Sequence, residues 1–225
     1  MIELTGVHVR LGQREVLRGV TASLTERRIG VVGANGSGKS TLARLLNGLV
    51  LPSAGTVTVG GLDTRRHAAR IRRRVGFLFT DPDAQIVMPT VAEDVAFSLR
   101  RRGLPREEAD RRVREVLARY GLHEHADHPA HHLSGGQKQL LALCSILVLE
   151  PEVLVMDEPT TLLDLRHSRQ VAALLRELPQ QVVAVTHDLP LLEGFDRVLV
   201  VDGGRVVADD VPAGALARYR ELMAS

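Results

Sequence analysis

The run Gly33-Ala34-Asn35-Gly36-Ser37-Gly38-Lys39-Ser40-Thr41 constrains this chain more than any other stretch. It fits the spacing G-x-x-x-x-G-K-[ST], in which a glycine-rich loop turns its backbone N–H groups onto phosphate oxygens. Before it, Ile29-Gly30-Val31-Val32 is apolar and short, as a buried strand would be. After it, Leu42-Ala43-Arg44-Leu45-Leu46 has helical spacing, with Asn47-Gly48 as a stop. Strand, loop and helix are the setting the motif needs. The loop then ends on a helix N-terminus, whose free N–H groups and dipole favour an anion. On this reading Lys39 reaches the β- and γ-phosphates of a nucleoside triphosphate, and the Ser40 hydroxyl ligates Mg²⁺. A glycine-rich turn without a ligand would have no use for the lysine. Lysine is scarce here: Lys39 and Lys138 are the only two, and every other basic side chain apart from histidine is arginine.

With 225 residues the chain has room for one large α/β domain carrying an inserted subdomain. A formal net charge of +2 makes no demand for nucleic acid. Cys144 is alone, so no internal disulfide forms, and its apolar neighbours predict a buried thiol. The longest apolar run, residues 140–149, stops at Glu150-Pro151 and is too short to span a bilayer. Met1-Ile2-Glu3-Leu4 opens on strand-like alternation, not on a targeting signal.

Residues 2–24 predict two or three β segments around a turn at Gly12-Gln13-Arg14, and residues 55–60 another short strand. Arginines crowd residues 65–74, which read as a partly helical solvated face; contact with phosphate or an acidic partner is the other reading. Residues 75–79 predict a buried strand. From Thr80 to about Pro151 the pattern turns helical. Thr90-Val91-Ala92-Glu93 is a capping box ahead of a helix to about Arg102, and a second helix runs from Pro105 to Tyr120. Ser134-Gly135-Gly136-Gln137 has capping-box spacing again, ahead of an apolar helix to Leu149. Strands return at residues 153–156, 182–185 and 198–201. Alternating strands and helices predict a largely parallel sheet with helices on its faces. Within a single domain over 1–225, residues 1–79 and 152–225 then form the nucleotide-binding α/β core and 80–151 the inserted helical subdomain.

Three features carry the chemistry. The apolar strand 153–156 ends in Asp157-Glu158: Asp157 is placed for the Mg²⁺ shell, and Glu158 to polarise an attacking water as general base. Thr186-His187-Asp188 ends another strand at the same sheet edge, where His187 can donate a ring N–H to a γ-phosphate or to that water. Ser134, Gly135, Gly136 and Gln137 form a second glycine-containing helix start, hence a second anion site. Two phosphate-binding edges in one chain predict that each nucleotide is shared between two subunits.

These residues together resemble an ABC-type ATPase, the nucleotide-binding subunit of a transporter, over nearly the whole chain. Residues 33–40 match the Walker A loop, 153–157 with Glu158 match Walker B and the catalytic carboxylate, and Leu133-Ser134-Gly135-Gly136-Gln137 matches the LSGGQ signature. Thr161-Leu162-Leu163-Asp164 stands where the D-loop does, and His187 matches the switch histidine. The resemblance implies a P-loop NTPase (RecA-like) core with an N-terminal antiparallel β subdomain and an inserted helical subdomain. It also implies a head-to-tail pair, a homodimer or a paralogous heterodimer, with two ATPs at the interface. Walker A of one subunit faces Ser134 and Gly136 of the other.

Within that family, residues 80–86 and 89–97 resemble energy-coupling-factor ATPases, which power uptake of vitamins and transition-metal ions. Such ATPases sit on the cytoplasmic face of the membrane, with a transmembrane coupling protein and a substrate-binding membrane protein. Thr80 and the short chain resemble the biotin-uptake members most. Two positions depart from the pattern. Thr80 stands where the Q-loop glutamine would, with Gln85 five residues on, and Leu11 stands where an aromatic residue stacks on adenine. The chain also ends soon after its last strand, so the resemblance implies no C-terminal dimerisation extension and a pairing that leans on ATP. The alternative is a soluble ABC-type ATPase acting on nucleic acid or ribosomes. Against it, the block between Lys39 and Ser134 is compact and there is one cassette, so no nucleic-acid partner is expected.

Overall fold

The structure is a computed structural model and describes residues 1–161 and 163–224. Leu162, within the D-loop run, lies outside the described residues. The chain opens on a β-hairpin, β1 (Ile2–Leu11) and β2 (Arg14–Leu24), whose turn needs Gly12 at φ 59°. β4 (Ala54–Val59) and β5 (Leu62–Asp63) complete an antiparallel sheet in the order β2-β1-β4-β5. The second sheet has the order β10-β9-β3-β8-β7-β6. In it β3 (Arg28–Val32), β6 (Val75–Leu78), β7 (Val153–Asp157), β8 (Gln181–Val185) and β9 (Arg197–Asp202) run parallel. Only β10 (Arg205–Asp210) is antiparallel.

β3 and β7 are buried along their whole length, as strands covered on both faces must be. Alternate residues point to opposite faces and feed two cores. Val31, Val155, Val183 and Leu199 meet the antiparallel sheet and α1 (Lys39–Leu45). Leu154, Met156, Val182 and Val198 meet α3 (Val91–Leu99), α4 (Arg106–Arg119) and α5 (Gly135–Leu147). The helical block therefore shares a core with one sheet face. That face also carries α6 (Leu165–Glu177) and α8 (Pro212–Ala224).

Buried Arg28 ties β3 to the end of α6. Its guanidinium donates to the carbonyls of Arg27 at 3.0 Å, Gln180 at 2.8 Å, Arg176 at 3.2 Å and Leu178. Arg176 O is one of the last carbonyls of α6, which have no partner within the helix, and Leu178 O is shared with Arg27, whose Nη2 donates at 3.1 Å.

Both capping boxes form, at Thr90/Glu93 and Ser134/Gln137. The helices that follow are shorter than expected. α3 stops at Leu99 and α5 at Leu147, because their last turns tighten to i→i+3 bonds (Arg102 N to Leu99 O at 2.9 Å, Glu150 N to Leu147 O at 2.9 Å). β5 and β10 have no counterpart in the sequence reading: the first has two residues, and the second is too polar and exposed to show an apolar pattern. The arginine-rich segment is α2 (Thr64–Ile71), where Arg65, Arg66 and Arg70 are exposed, as a solvated face would be.

Candidate nucleotide site

β3 runs straight into residues 33–38, and α1 begins at Lys39. The loop is wedged from two sides. Ser37 O accepts from Gly204 N at 3.0 Å in the β9–β10 turn, and Arg14 Nη2 on the hairpin donates to Gly36 O at 3.4 Å. Gly38 adopts φ 109°, and a Cβ there would stand 2.7 Å from the Leu17 side chain and 3.0 Å from Val16 O. Only glycine meets both demands. Gly38 is the N-cap of α1 and supplies no side-chain bond, so the first N–H groups of that helix are left for a ligand.

Lys39 is nearly buried, and its ammonium donates to Gly33 O at 2.8 Å and Ala34 O at 2.9 Å, the loop's own carbonyls. Burial pushes its pKa down, against Glu158 and Asp157, which hold it up. Ser40 Oγ donates to Asp157 Oδ1 at 2.9 Å, across from the tip of β7. Asp157 is 2 % exposed, and burial raises its pKa against the Ser40 hydrogen bond and Arg44, whose Nη2 lies 3.8 Å away. The Ser40–Asp157 pair offers hard oxygen donors side by side, the chemistry Mg²⁺ takes. Among the described residues no cluster of three His, Cys, Asp or Glu could hold a metal alone. A cation here therefore needs phosphate and water oxygens besides.

Glu158 has φ 57°, a left-handed backbone that costs a non-glycine residue about 1–3 kcal/mol. Its N–H donates to Val185 O at 2.8 Å, which holds the strained turn. The carboxylate accepts from Thr161 Oγ1 at 3.2 Å and His187 N at 3.3 Å, and His187 Nδ1 lies 2.8 Å away. The strain points this one carboxylate along the strand tips, toward the next strand's histidine. Lys39, Ser40, Asp157, Glu158 and His187 thus share one end of the parallel sheet.

The signature residues lie at the start of α5. Ser134 N donates to Gln137 Oε1 at 2.9 Å and Gln137 N to Ser134 Oγ at 3.3 Å. The Gln137 amide nitrogen lies 3.0 Å from His125 Nε2. Asp164 caps α6 and accepts from His167 N at 2.8 Å. Among the described residues no hydrogen bond or ion pair joins Ser134, Gly135, Gly136, Gln137 or Asp164 to the Walker cluster. The sequence predicts two separate phosphate-binding edges.

Gln85 Oε1 accepts from Phe79 N and its Nε2 donates to Phe77 O, both at 3.2 Å. Its side chain is thus occupied by the β6 backbone and lines a cleft of about 380 Å³ with Asn47, Leu49, Phe79 and Phe97. Thr80 is half-buried just beyond that strand. Leu11, at the hairpin tip, is 51 % exposed, open to contact from solvent. Sequence reasoning missed Arg44, which stands four residues after Ser40 and so on the same helix face, and Arg14. It also missed the ion pair of Lys138 with Asp83 at 2.7 Å, which ties α5 to the turn after β6. The i,i+4 spacing was a usable signal for Arg44; nothing local marks the other two.

A largely parallel sheet, a lysine-bearing loop entering a helix, and a serine bonded to a buried aspartate beside it define a P-loop nucleoside-triphosphate site. The family model described as ABC transporter matches residues 17–161, and the chain belongs to that family of ATP-binding, ATP-hydrolysing cassettes. An ABC transporter ATP-binding protein of Deinococcus radiodurans is 58 % identical over 223 residues, covering 99 % of each chain. The biotin transport ATP-binding protein BioM of Rhizobium etli is 47 % identical over 223 residues, again 99 % of each. The solved structure of cbiO1 from Clostridium perfringens, part of the ABC transporter complex cbiONQ, superposes with a TM-score of 0.87 at 30 % identity, covering 99 % of this chain and 92 % of that one.

Proposed function

We propose that this chain is the ATPase subunit of an energy-coupling-factor importer, working in pairs and driving uptake of a vitamin or transition-metal ion, with biotin the favoured cargo. The observation that carries the paired site is that the two phosphate-binding edges lie on one chain and do not touch. ATP held on the residues 33–41 loop of one subunit then meets Ser134, Gly135, Gly136 and Gln137 of a second, with Asp164 beside the interface. Likeness to BioM and to cbiO1 supports the importer reading.

In this reading Lys39 leaves its loop carbonyls for the β- and γ-phosphates, a stronger, charge-assisted partner. Ser40 and Asp157 would hold Mg²⁺, which neutralises phosphate charge when bound. Glu158 accepts the proton of the attacking water, oriented by Thr161 and the backbone of His187, and His187 donates a ring N–H toward the γ-phosphate. Leu11 offers the base apolar contact without stacking, so base selectivity is loose. Thr80 reaches the site only through a bridging water, and Gln85 stays on the β6 backbone.

The cleft lined by Leu49, Phe79, Gln85 and Phe97 would take the transmembrane coupling protein, with a substrate-binding membrane protein completing the assembly and this chain peripheral on the cytoplasmic face of the membrane. Leu49, Val87 and Phe97 are exposed there. Among the described residues no helix is long and apolar enough to cross a membrane. The Lys138–Asp83 pair ties the signature helix to the turn that leads to Gln85. A detergent-stable complex with polytopic membrane proteins is expected on purification, whereas bound nucleic acid would favour the soluble-machine alternative. Glu158→Gln is expected to bind ATP, hydrolyse it about 10²–10⁴-fold more slowly and accumulate as a dimer, read by sedimentation. Turnover like that of the unaltered protein would remove Glu158 as base.

A further inference from the structure

His167 belongs to no motif, yet it touches two of them. Its ring lies over Gly136 in the first turn of α5: a Cβ on Gly136 would stand 2.8 Å from the ring's Cδ2 and Cγ. The Gly136 backbone is not left-handed, so within this subunit it is the imidazole, not the dihedral angles, that demands a glycine. The same ring reaches the other way. Nδ1 lies 2.8 Å from Asp164 Oδ1, the oxygen that also accepts the His167 backbone N–H at 2.8 Å. An ionised carboxylate only accepts, so Nδ1 carries the proton and donates. The two bonds from His167, backbone first, hold the Asp164 carboxyl below the usual carboxylate range.

An N-cap needs only the backbone bond. The imidazole is additional, and its two faces join elements far apart in sequence: the signature turn at residues 134–137 and the D-loop aspartate at 164. We infer that His167 is a positioning residue that locks Gly136 and Asp164 into one unit. The half-site offered to another subunit's ATP is then assembled before the subunits meet, which lowers the ordering cost of association. The inference rests on the shared-site reading above.

The test uses the full chain carrying Glu158→Gln and reads ATP-driven dimerisation by analytical ultracentrifugation beside ATP binding by the monomer. His167→Ala is expected to weaken dimerisation on the order of tenfold while monomer binding stays within about twofold. His167→Asn, whose side-chain amide can replace the Nδ1 donor, is expected to recover most of the loss. A residue that merely stabilises α6 would not separate the two readouts or be rescued by asparagine. Unchanged dimerisation in His167→Ala, no rescue by asparagine, or an equal loss of monomer binding overturns the inference and leaves the shared site standing. Failure of the Glu158→Gln parent to dimerise on ATP overturns the shared site itself.

A second measurement needs no dimer. Gly136→Ala is expected to lower the melting temperature of the ATP-free chain, and to lose most of that penalty once His167→Ala has vacated the space. An equal penalty in both backgrounds would show that the ring does not press on Gly136.

Discussion

The chain starts two helices at the edges proposed to bind phosphate and finishes them in opposite ways. α1 has Gly38 as N-cap, with no side-chain bond to its first N–H groups. α5 has Ser134 as N-cap, with the hydroxyl and the Gln137 amide closing the turn on itself. At the first helix start no side chain bonds the leading N–H groups; at the second, side chains bond the N–H groups of Ser134 and Gln137. On the paired site proposed above, this difference implies an order of events: a single subunit binds ATP at α1, and α5 engages it only when another subunit brings Ser134 close enough to exchange partners.

Breaking the open edge should have the largest effect. Lys39→Ala removes the one buried ammonium facing the loop, and is expected to weaken ATP binding by the monomer about 10–100-fold, as loss of a charged hydrogen bond does. Ser134→Ala is expected to leave monomer binding unchanged and to impair only hydrolysis by the pair. Isothermal titration on the monomer, with steady-state turnover alongside, checks both. Equal losses in the two variants would abolish the distinction between open and closed edges.

The glycines sharpen the same comparison through stability. Gly38 combines φ 109° with backbone and leucine contact, so Gly38→Ala is expected to cost about 1–3 kcal/mol, seen as a lower urea midpoint. Gly135 is exposed in the first turn of α5 and has no positive φ. Gly135→Ala is therefore expected to be neutral or to stabilise the ATP-free chain by up to ~1 kcal/mol, because alanine favours a helix.

Most of the nucleotide edge was legible because its residues are neighbours in sequence or sit at the ends of apolar strands. The loop 33–41, Asp157, Glu158 and His187 all follow from strand ends converging at one edge of a parallel sheet. Both capping boxes were legible for the same local reason. What could not be read is contact between distant segments. The His167 ring against Gly136, Lys138 against Asp83, and Arg28 across the end of α6 depend on helices meeting in space, and no periodicity encodes that. β10 escaped because an exposed edge strand carries no apolar alternation. The departure at Thr80 was visible, but not that Gln85 would be engaged by the β6 backbone, since that bond follows from how the chain turns after Phe79.

Charge separates the two regions as sharply as capping does. Asp157 in the core is buried and its carboxyl is pushed up, because the cost of burial outweighs the relief from the Ser40 hydrogen bond, Arg44 and Lys39. Asp157→Asn is expected to raise the melting temperature of the ATP-free chain by about 2–4 °C while hydrolysis falls, a trade of stability against function. An unchanged or lower melting temperature would mean that Ser40 and Arg44 already compensate the charge in full.

The helical block shows the opposite case. Glu108 on α4 is bonded by Arg111 at 2.8 Å and Arg112 at 2.7 Å, and these bonds bring its carboxyl down to about 2. A carboxyl whose folded pKa is depressed binds protons more readily unfolded than folded, so its stabilising contribution is complete above the unfolded value near 4.5 and fades as pH falls toward about 2. Glu108→Gln should therefore melt slightly below the unaltered chain at neutral pH, with the gap closing across that acid window and shrinking in high salt. The effect is the smallest of those argued, because the network is solvent-exposed. A gap independent of pH and salt would assign the stabilisation to packing of the side chain and remove the electrostatic contrast between the two regions.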